Sequence, residues 1–189
     1  SPAVYMKLGA TGVLGDYEAL ERIEIPSDVT DLPACTFASF PVVSLTATNA
    51  LTHIGAKAFY DCSRLVNVTM DSNIAVISSE AFAYCSQIAE LTFVGNGDTV
   101  IEADAFSYCS ALHTVSLDGV QVIGISAFCD CTALEDISIS NDTYPVSIQD
   151  YAFKNCTHLG TADLSSNINK IGKQAFAECS NLSNINLGA

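Results

Sequence analysis

Cysteine is the residue type with the most chemistry to offer in this chain: there are eight in 189 residues, alongside three histidines and 21 acidic side chains. Such usage fits a disulfide scaffold, a metal protein or a position that recurs in a repeat, and spacing discriminates among the three. Six of the eight close one phrase: Ala58-Phe59-x-x-Cys62, Ala81-Phe82-x-x-Cys85, Ala105-Phe106-x-x-Cys109, Ala127-Phe128-x-x-Cys131, Ala152-Phe153-x-x-Cys156 and Ala175-Phe176-x-x-Cys179. Their intervals are 23, 24, 22, 25 and 23 residues. Zinc needs paired ligands converging on one point, as Cys-x-x-Cys provides. These thiols stand a whole period apart, and the single close pair, Cys129-x-Cys131, has the wrong spacing. Bridges between successive units meet a geometric obstacle, because stacked strands lie about 4.7–4.9 Å apart while a disulfide wants β-carbons about 3.5–4.5 Å apart. The column therefore reads as buried, inert thiols acting as small hydrophobes. No metal and no other cofactor is expected, and Cys35 and Cys129, outside the column, are the thiols expected to react first if either is exposed.

The remaining candidates carry less. His53, His113 and His158 share no motif with a nucleophile and a third, orienting group, so no catalytic residue is assigned. Gly95-Asn96-Gly97-Asp98 offers calcium one carboxylate where six to eight oxygens are wanted, and reads as a turn. Asn67-Val-Thr69, Asn141-Asp-Thr143, Asn155-Cys-Thr157 and Asn181-Leu-Ser183 are glycosylation sequons, of consequence only in a eukaryotic exported chain.

A period this regular has to be positioned by one structural unit repeated along the chain. After Cys62 come Leu65, Val68 and Met70, then Ile74 and Ile77, then Ala81-Phe82; in the last full unit the same walk reads Leu159, Ala162, Leu164, Ile168, Ile171 and Ala175-Phe176. Backwards, Leu20, Ile23, Ile25, Val29 and Leu32 lead to Phe37, and Phe40 and Tyr17 take the Cys column while Leu14 takes the Phe column. One domain over 1–189 results, with about eight repeats, the first two degenerate (1–40) and the clear ones covering 41–189. Seven of the nine Phe fall in one column. In each unit the two alternating apolar positions predict one short strand with a buried face. A strand of about three residues needs neighbours, which a coil supplies in parallel from the units above and below. Ile-x-x-x-Ala-Phe-x-x-Cys places apolar groups at i, i+4, i+5 and i+8 and predicts a helical or 3₁₀ turn on the opposite side. Loops of unequal length, Val94 to Asp98 and Ser140 to Pro145, are expected where the strand leaves the sheet.

Composition removes several functions. Hydrophobic residues at 49% exclude disorder. Seven basic against 21 acidic residues give a net charge of −14, a field that repels nucleic-acid phosphates and anionic lipid. Nucleic acid is excluded as a partner, and so is membrane insertion, since no stretch approaches the roughly 18 apolar residues a span needs. Ser1-Pro2 does not open a signal peptide, so the chain is either cytosolic or a trimmed piece of an exported protein. Its end at Leu187-Gly188-Ala189, just after a strand motif, reads as a cut.

The pattern resembles the BspA-like leucine-rich repeats, whose units of roughly 23 residues run Leu-x-x-Ile-x-Ile-Pro-x-x-Val-x-x-Ile-Gly-x-x-Ala-Phe-x-x-Cys. Leu20 to Leu32 with Ile25-Pro26, the turns Ile54-Gly55, Ile123-Gly124 and Ile171-Gly172, and the six Ala-Phe-x-x-Cys phrases carry the likeness. The resemblance implies an α/β solenoid: curved, right-handed, with the parallel sheet on its concave side and helical or 3₁₀ turns on its convex side. It also implies an extracellular or cell-surface protein, commonly an adhesin, with no catalytic residues to transfer.

On the template, the solvent face of the strands carries Asn67 and Thr69, Glu90 and Thr92, Thr114 and Ser116, and Asp136 and Ser138 in its central rows, flanked by Arg22 and Glu24, Ser44 and Thr46, Thr161 and Asp163, and Asn184 and Asn186. These eight central residues are the expected ligand-binding positions, because repeats build extended surfaces. The partner would be an extracellular protein or glycan, bound broadly through hydrogen bonds, since the chain has no Trp and these rows hold only Arg22 among hot-spot residues. Two other functions compete: a structural spacer in a larger surface protein, and a polysaccharide-acting enzyme using Asp136 and Asp163 as paired carboxylates.

Overall fold

A computed structural model describes residues 21–47, 50–70, 72–141, 143–164 and 167–187. The chain winds through about seven turns of a parallel β-solenoid. The first three are β1 (Arg22–Glu24) with β2 (Asp31–Leu32), β3 (Ser44–Thr46) with β4 (His53–Ile54), and β5 (Asn67–Thr69) with β6 (Val76–Ile77). In the next two a single long strand, β7 (Glu90–Ile101) and then β8 (Thr114–Ile123), serves both sides of the turn. There follow β9 (Asp136–Ser140) with β10 (Val146–Ile148), β11 (Thr161–Leu164) with β12 (Ile168–Ile171), and β13 (Asn184–Asn186). The degenerate first repeat, with Leu14, Tyr17 and Leu20, lies outside the described residues.

The expectation of one strand per repeat is corrected to two. A front ladder uses the alternating positions after each Leu, and a second ladder joins β2, β4, β6, the end of β7 and the end of β8, with β10 and β12 following. Each two-residue strand of the second ladder turns one side chain inward, such as Leu32, Ile54 or Ile77, which places that residue in the core. Nor is 94–98 an exit loop: it lies within β7, where the register against β8 shifts between Val94 and Val100 and Gly97 takes φ 103°. The hydroxyl of the buried Thr99 anchors this bulge by donating to the Ile74 carbonyl at 2.7 Å.

The helical turns also give way. No described residue is helical, and the backbone explains why. Across Glu80–Cys85 the amides alternate: Ala81, Ala83 and Cys85 donate three residues back, to Ser78, Glu80 and Phe82, while Glu80, Phe82 and Tyr84 donate to the next coil, at Ala103, Ala105 and Ser107. A helix would consume every amide internally. Spending every second one on the neighbouring coil requires left-handed residues, and Glu80 (φ 56°) and Tyr84 (φ 64°) supply them. The pair recurs in every described turn, from Cys35 and Ser39 to Gln174 and Glu178. Gly124 serves a neighbouring need: a methyl group there would stand 2.5 Å from the Glu102 backbone.

Phenylalanine fills the interior between these layers. From Phe59 to Phe153 the rings are fully buried and stack with centroids 5.1–5.3 Å apart and planes within 7° of parallel. The Cys column is matched to this stack. Each column thiol donates to the carbonyl of the Phe one coil back: Cys62 to Phe37 at 3.1 Å, Cys109 to Phe82 at 3.3 Å, Cys156 to Phe128 at 3.3 Å and Cys179 to Phe153 at 3.1 Å. The residue is therefore small, apolar and a weak donor at once, a combination Ala or Val lacks.

All eight thiols are unbridged. Burial pushes the Cys109 thiol up to about 12 and Cys131 well above its ordinary value. Cys35 is exposed, and Cys129 is placed less openly. It is only half exposed, and burial, together with donation to the Asp130 carboxylate at 3.1 Å, pushes it up to about 12. Cys179, in the last complete turn, is only partly buried.

Two outcomes are expected. Native alkylation followed by mass spectrometry should label Cys35 first and Cys179 next, with Cys129 and the column from Cys62 to Cys156 protected; early labelling of Cys129 would contradict its contact with Asp130. Phe106→Ala should cost about 3–5 kcal/mol through lost transfer energy and a cavity. Because each coil is stabilised by its neighbours, chemical denaturation of that variant should also show a broadened or split transition.

Candidate functional site

The front ladder delivers the eight expected ligand-binding residues to one surface. Glu90, Thr114 and Asp136 stand opposite one another across β7, β8 and β9, and Thr92, Ser116 and Ser138 form the adjoining row. Between them Leu91, Val115 and Ile137 point inward and are buried, so strand alternation alone holds the polar side chains in water. Asn67 and Thr69 continue the rows in β5, opposite Ser44 and Thr46 of β3. Side chains also link along the rows: Thr161 donates to Asp136, Ser140 to Asp118 at 2.9 Å and Asn186 to Asp163 at 2.9 Å.

One discontinuity interrupts this face. Among the described residues no strand pairing joins β5 to β7: β5 pairs only with β3, and the Glu90–Val94 half of β7 pairs only with β8. The second ladder continues without interruption beneath, Val76 and Ile77 facing Val100 and Ile101. The result is a groove of about 380 Å³ whose walls include Asn67 and Thr69 from one edge and Glu90 and Thr92 from the other, with Val66, Val68, Met70 and Ala89 completing it. Val68 is half-buried, whereas its counterparts Leu45 and Leu91 are buried. The inner row steps here from Ala47 through Met70 to Phe93, so side chains of unequal size fill the space below the gap. The sequence does not announce this break, because Leu65, Val68 and Met70 obey the template.

The other candidates are placed as follows. His53 faces Asp31 at 3.3 Å and Thr52 at 2.8 Å, and His158 contacts the Thr132 carbonyl at 2.6 Å. Among the described residues no group of His, Cys, Asp and Glu has the arrangement of a metal site. Asp136 stands opposite Thr161 and Asp163 opposite Ser138, so the two carboxylates are diagonal and each is held by a ladder partner. Of the sequon residues, Asn67 and Asn181 are exposed. Asn141 is buried: its amide donates to Gly97 at 2.7 Å and Val120 at 3.2 Å, and its oxygen accepts from the backbone of Thr143 and Tyr144. It clamps three coils together and is closed to glycosylation in the folded chain. No helix among the described residues is long and apolar enough to cross a membrane.

Comparison with known proteins agrees with this geometry. The chain is similar in structure to the leucine-rich repeat protein TpLRR of T. pallidum, with a TM-score of 0.76 and 23% identity over 87% of this chain and 79% of that one. It is also similar to a leucine-rich cell surface protein of Faecalibacterium prausnitzii A2-165, with a TM-score of 0.50 and 22% identity over 88% of this chain but 60% of that one. At these identities the likeness is one of fold. No curated protein matches the sequence. The model of the BspA type leucine-rich repeat region matches in six copies, over residues 15–118 and 99–189. With the repeating Ala-Phe-x-x-Cys turns and the parallel ladders they form, that match establishes that the chain belongs to the BspA-type leucine-rich repeat family.

Proposed function

We propose that this chain is a non-catalytic interaction module of an exported or cell-surface protein, adhering to an extracellular protein or glycan through the front face of the solenoid. The observation that carries the reading is the groove between β5 and β7, because it opens in the middle of the polar rows and is walled by Asn67, Thr69, Glu90 and Thr92. A rigid array of exposed polar side chains loses little ordering entropy on contact. Thr114, Ser116, Asp136 and Ser138 extend the same rows beyond the groove, so the contact is broad and made of many modest hydrogen bonds. Membership of a repeat family and the surface description of the F. prausnitzii neighbour are consistent with display outside the cell.

A screen of the purified chain against matrix proteins, mucins and glycans identifies the ligand. Thr92→Trp with Ser116→Trp should abolish that binding and leave the melting curve unchanged, since both side chains point to water. Affinity for a basic ligand should fall as salt shortens the Debye length to about 8 Å at 0.15 M. Normal binding by the double variant would remove the front-face assignment, and a chain that binds nothing in the screen would favour the spacer reading.

A further inference from the structure

The turn side carries a second surface that the front-face reading does not use. Its axis is the row of left-handed residues two places after each core Phe: Ser39, Asp61, Tyr84, Tyr108, Asp130, Asn155 and Glu178. Small polar and acidic residues suit this conformation, whereas a bulky side chain there is a backbone outlier. Two consecutive coils nonetheless place tyrosine in it. Neither ring is in the core: Tyr84 is 40% and Tyr108 44% exposed, and they stack on each other with centroids 4.6 Å apart and planes 4° from parallel. Burial therefore does not repay the strain, and strained exposed positions are where function concentrates.

The two rings sit in a shallow cavity of about 410 Å³ that spans four coils, with Asp61 at one end of the row and Asp130 at the other. A parallel row of hydroxyls, Ser63, Ser86, Ser110 and Thr132, forms its second wall. No Lys or Arg is among the residues lining it. Two nearby lysines are paired with carboxylates outside the lining, Lys57 with Glu80 at 3.3 Å and Lys154 with Glu178 at 3.4 Å. The local potential is negative enough that the Asp130 carboxylate, followed by the Tyr84 phenol, raises the pKa of Tyr108.

We propose that Tyr84 and Tyr108, bracketed by Asp61 and Asp130, form a binding site for an extended basic peptide whose Arg or Lys side chains recur about four residues apart. Carboxylates recognise guanidinium or ammonium groups by charge-assisted hydrogen bonds, and tyrosine rings add cation–π attraction. Asp130 already accepts from the Asn155 amide and from the Cys129 thiol at 3.1 Å, and a carboxylate's two oxygens keep lone pairs for a further donor. The serine row supplies hydrogen-bonding groups for the peptide backbone. The spacing follows from the fold. Asp61 and Asp130 are three coils apart, and with core rings 5.1–5.2 Å from coil to coil this is roughly 15 Å. An extended chain covers about 3.3 Å per residue, so four or five residues bridge the two carboxylates.

The test is calorimetric titration of the folded chain with the blocked peptide Arg-Ser-Thr-Ser-Arg, with Gln-Ser-Thr-Ser-Gln and with the isomer Ser-Arg-Arg-Ser-Thr. The spaced Arg peptide should bind at least tenfold more tightly than either control. Asp61→Asn with Asp130→Asn should reduce its affinity at least tenfold, and so should Tyr84→Asn with Tyr108→Asn. Since Asn tolerates the left-handed conformation, the latter variant should melt at the same temperature as the parent or higher. Thr92→Trp with Ser116→Trp should bind the peptide normally, which separates this site from the front face. Equal binding of all three peptides overturns the proposal, as does unchanged affinity in the Asp variant. So does preferential binding of a neutral tetrasaccharide such as cellotetraose, and so does a lowered melting temperature in the Tyr variant with peptide affinity retained, which would make the stack a structural element.

Discussion

Every feature of this chain depends on the rise from one coil to the next. Parallel strand pairing demands about 4.8 Å, and the stacked phenylalanines stand 5.1–5.3 Å apart. The two distances are close enough for hydrogen bonds and aromatic packing to be satisfied by one geometry. The turns must keep the same rise, which is why alternate amides are given to the next coil and why left-handed residues recur at two fixed places. The cysteine thiol fits the same scheme, adding a weak bond to a Phe carbonyl one coil back. Interior positions are thereby constrained in volume and polarity together, while outward positions are left free to vary.

That division decides what could be read before the structure. The Ala-Phe-x-x-Cys phrase and the Leu, Val and Ile positions after it are constrained by the core, so the solenoid, its period and the front rows were legible. The second ladder was not, because strands such as Asp31–Leu32 and His53–Ile54 have one inward residue each, too short for alternation to register. The helical reading failed for a related reason: i, i+4, i+5 and i+8 also describe a chain of tight turns whose inward residues are Ile, Ala, Phe and Cys. Spacing reports which side chains point inward, not where the amides donate. The surroundings of Cys129 were not legible, because its position outside the column says nothing of Asp130, whose carboxylate accepts a hydrogen bond from the thiol.

The candidate sites were legible to different degrees. All eight front-row residues could be placed from the template, since strand alternation fixes them. The gap beside Asn67 and Thr69 could not, because it reflects a missing pairing between two strands that each obey the template. The tyrosine pair lay in plain view in the sequence, yet its meaning came from the backbone: Tyr84 and Tyr108 take equivalent left-handed positions in consecutive coils, which sets their rings face to face.

The two surfaces also differ in the discrimination they allow. On the front face, strands present alternate residues, so each coil contributes two main contact positions, and hydroxyls and carboxamides already donate to the Asp carboxylates along the rows before any ligand arrives. A ligand there exchanges existing hydrogen bonds for new ones, and the net gain per contact is modest. On the turn side, the left-handed row projects one residue per coil, and Tyr84 and Tyr108 leave large aromatic surface in water. Covering that surface gains hydrophobic as well as electrostatic energy. A solenoid whose core is fixed by repetition can therefore carry a broad polar face on its strands and a compact aromatic one on its turns. Neither conflicts with the coil-to-coil rise, because both are built from side chains that the core leaves unconstrained.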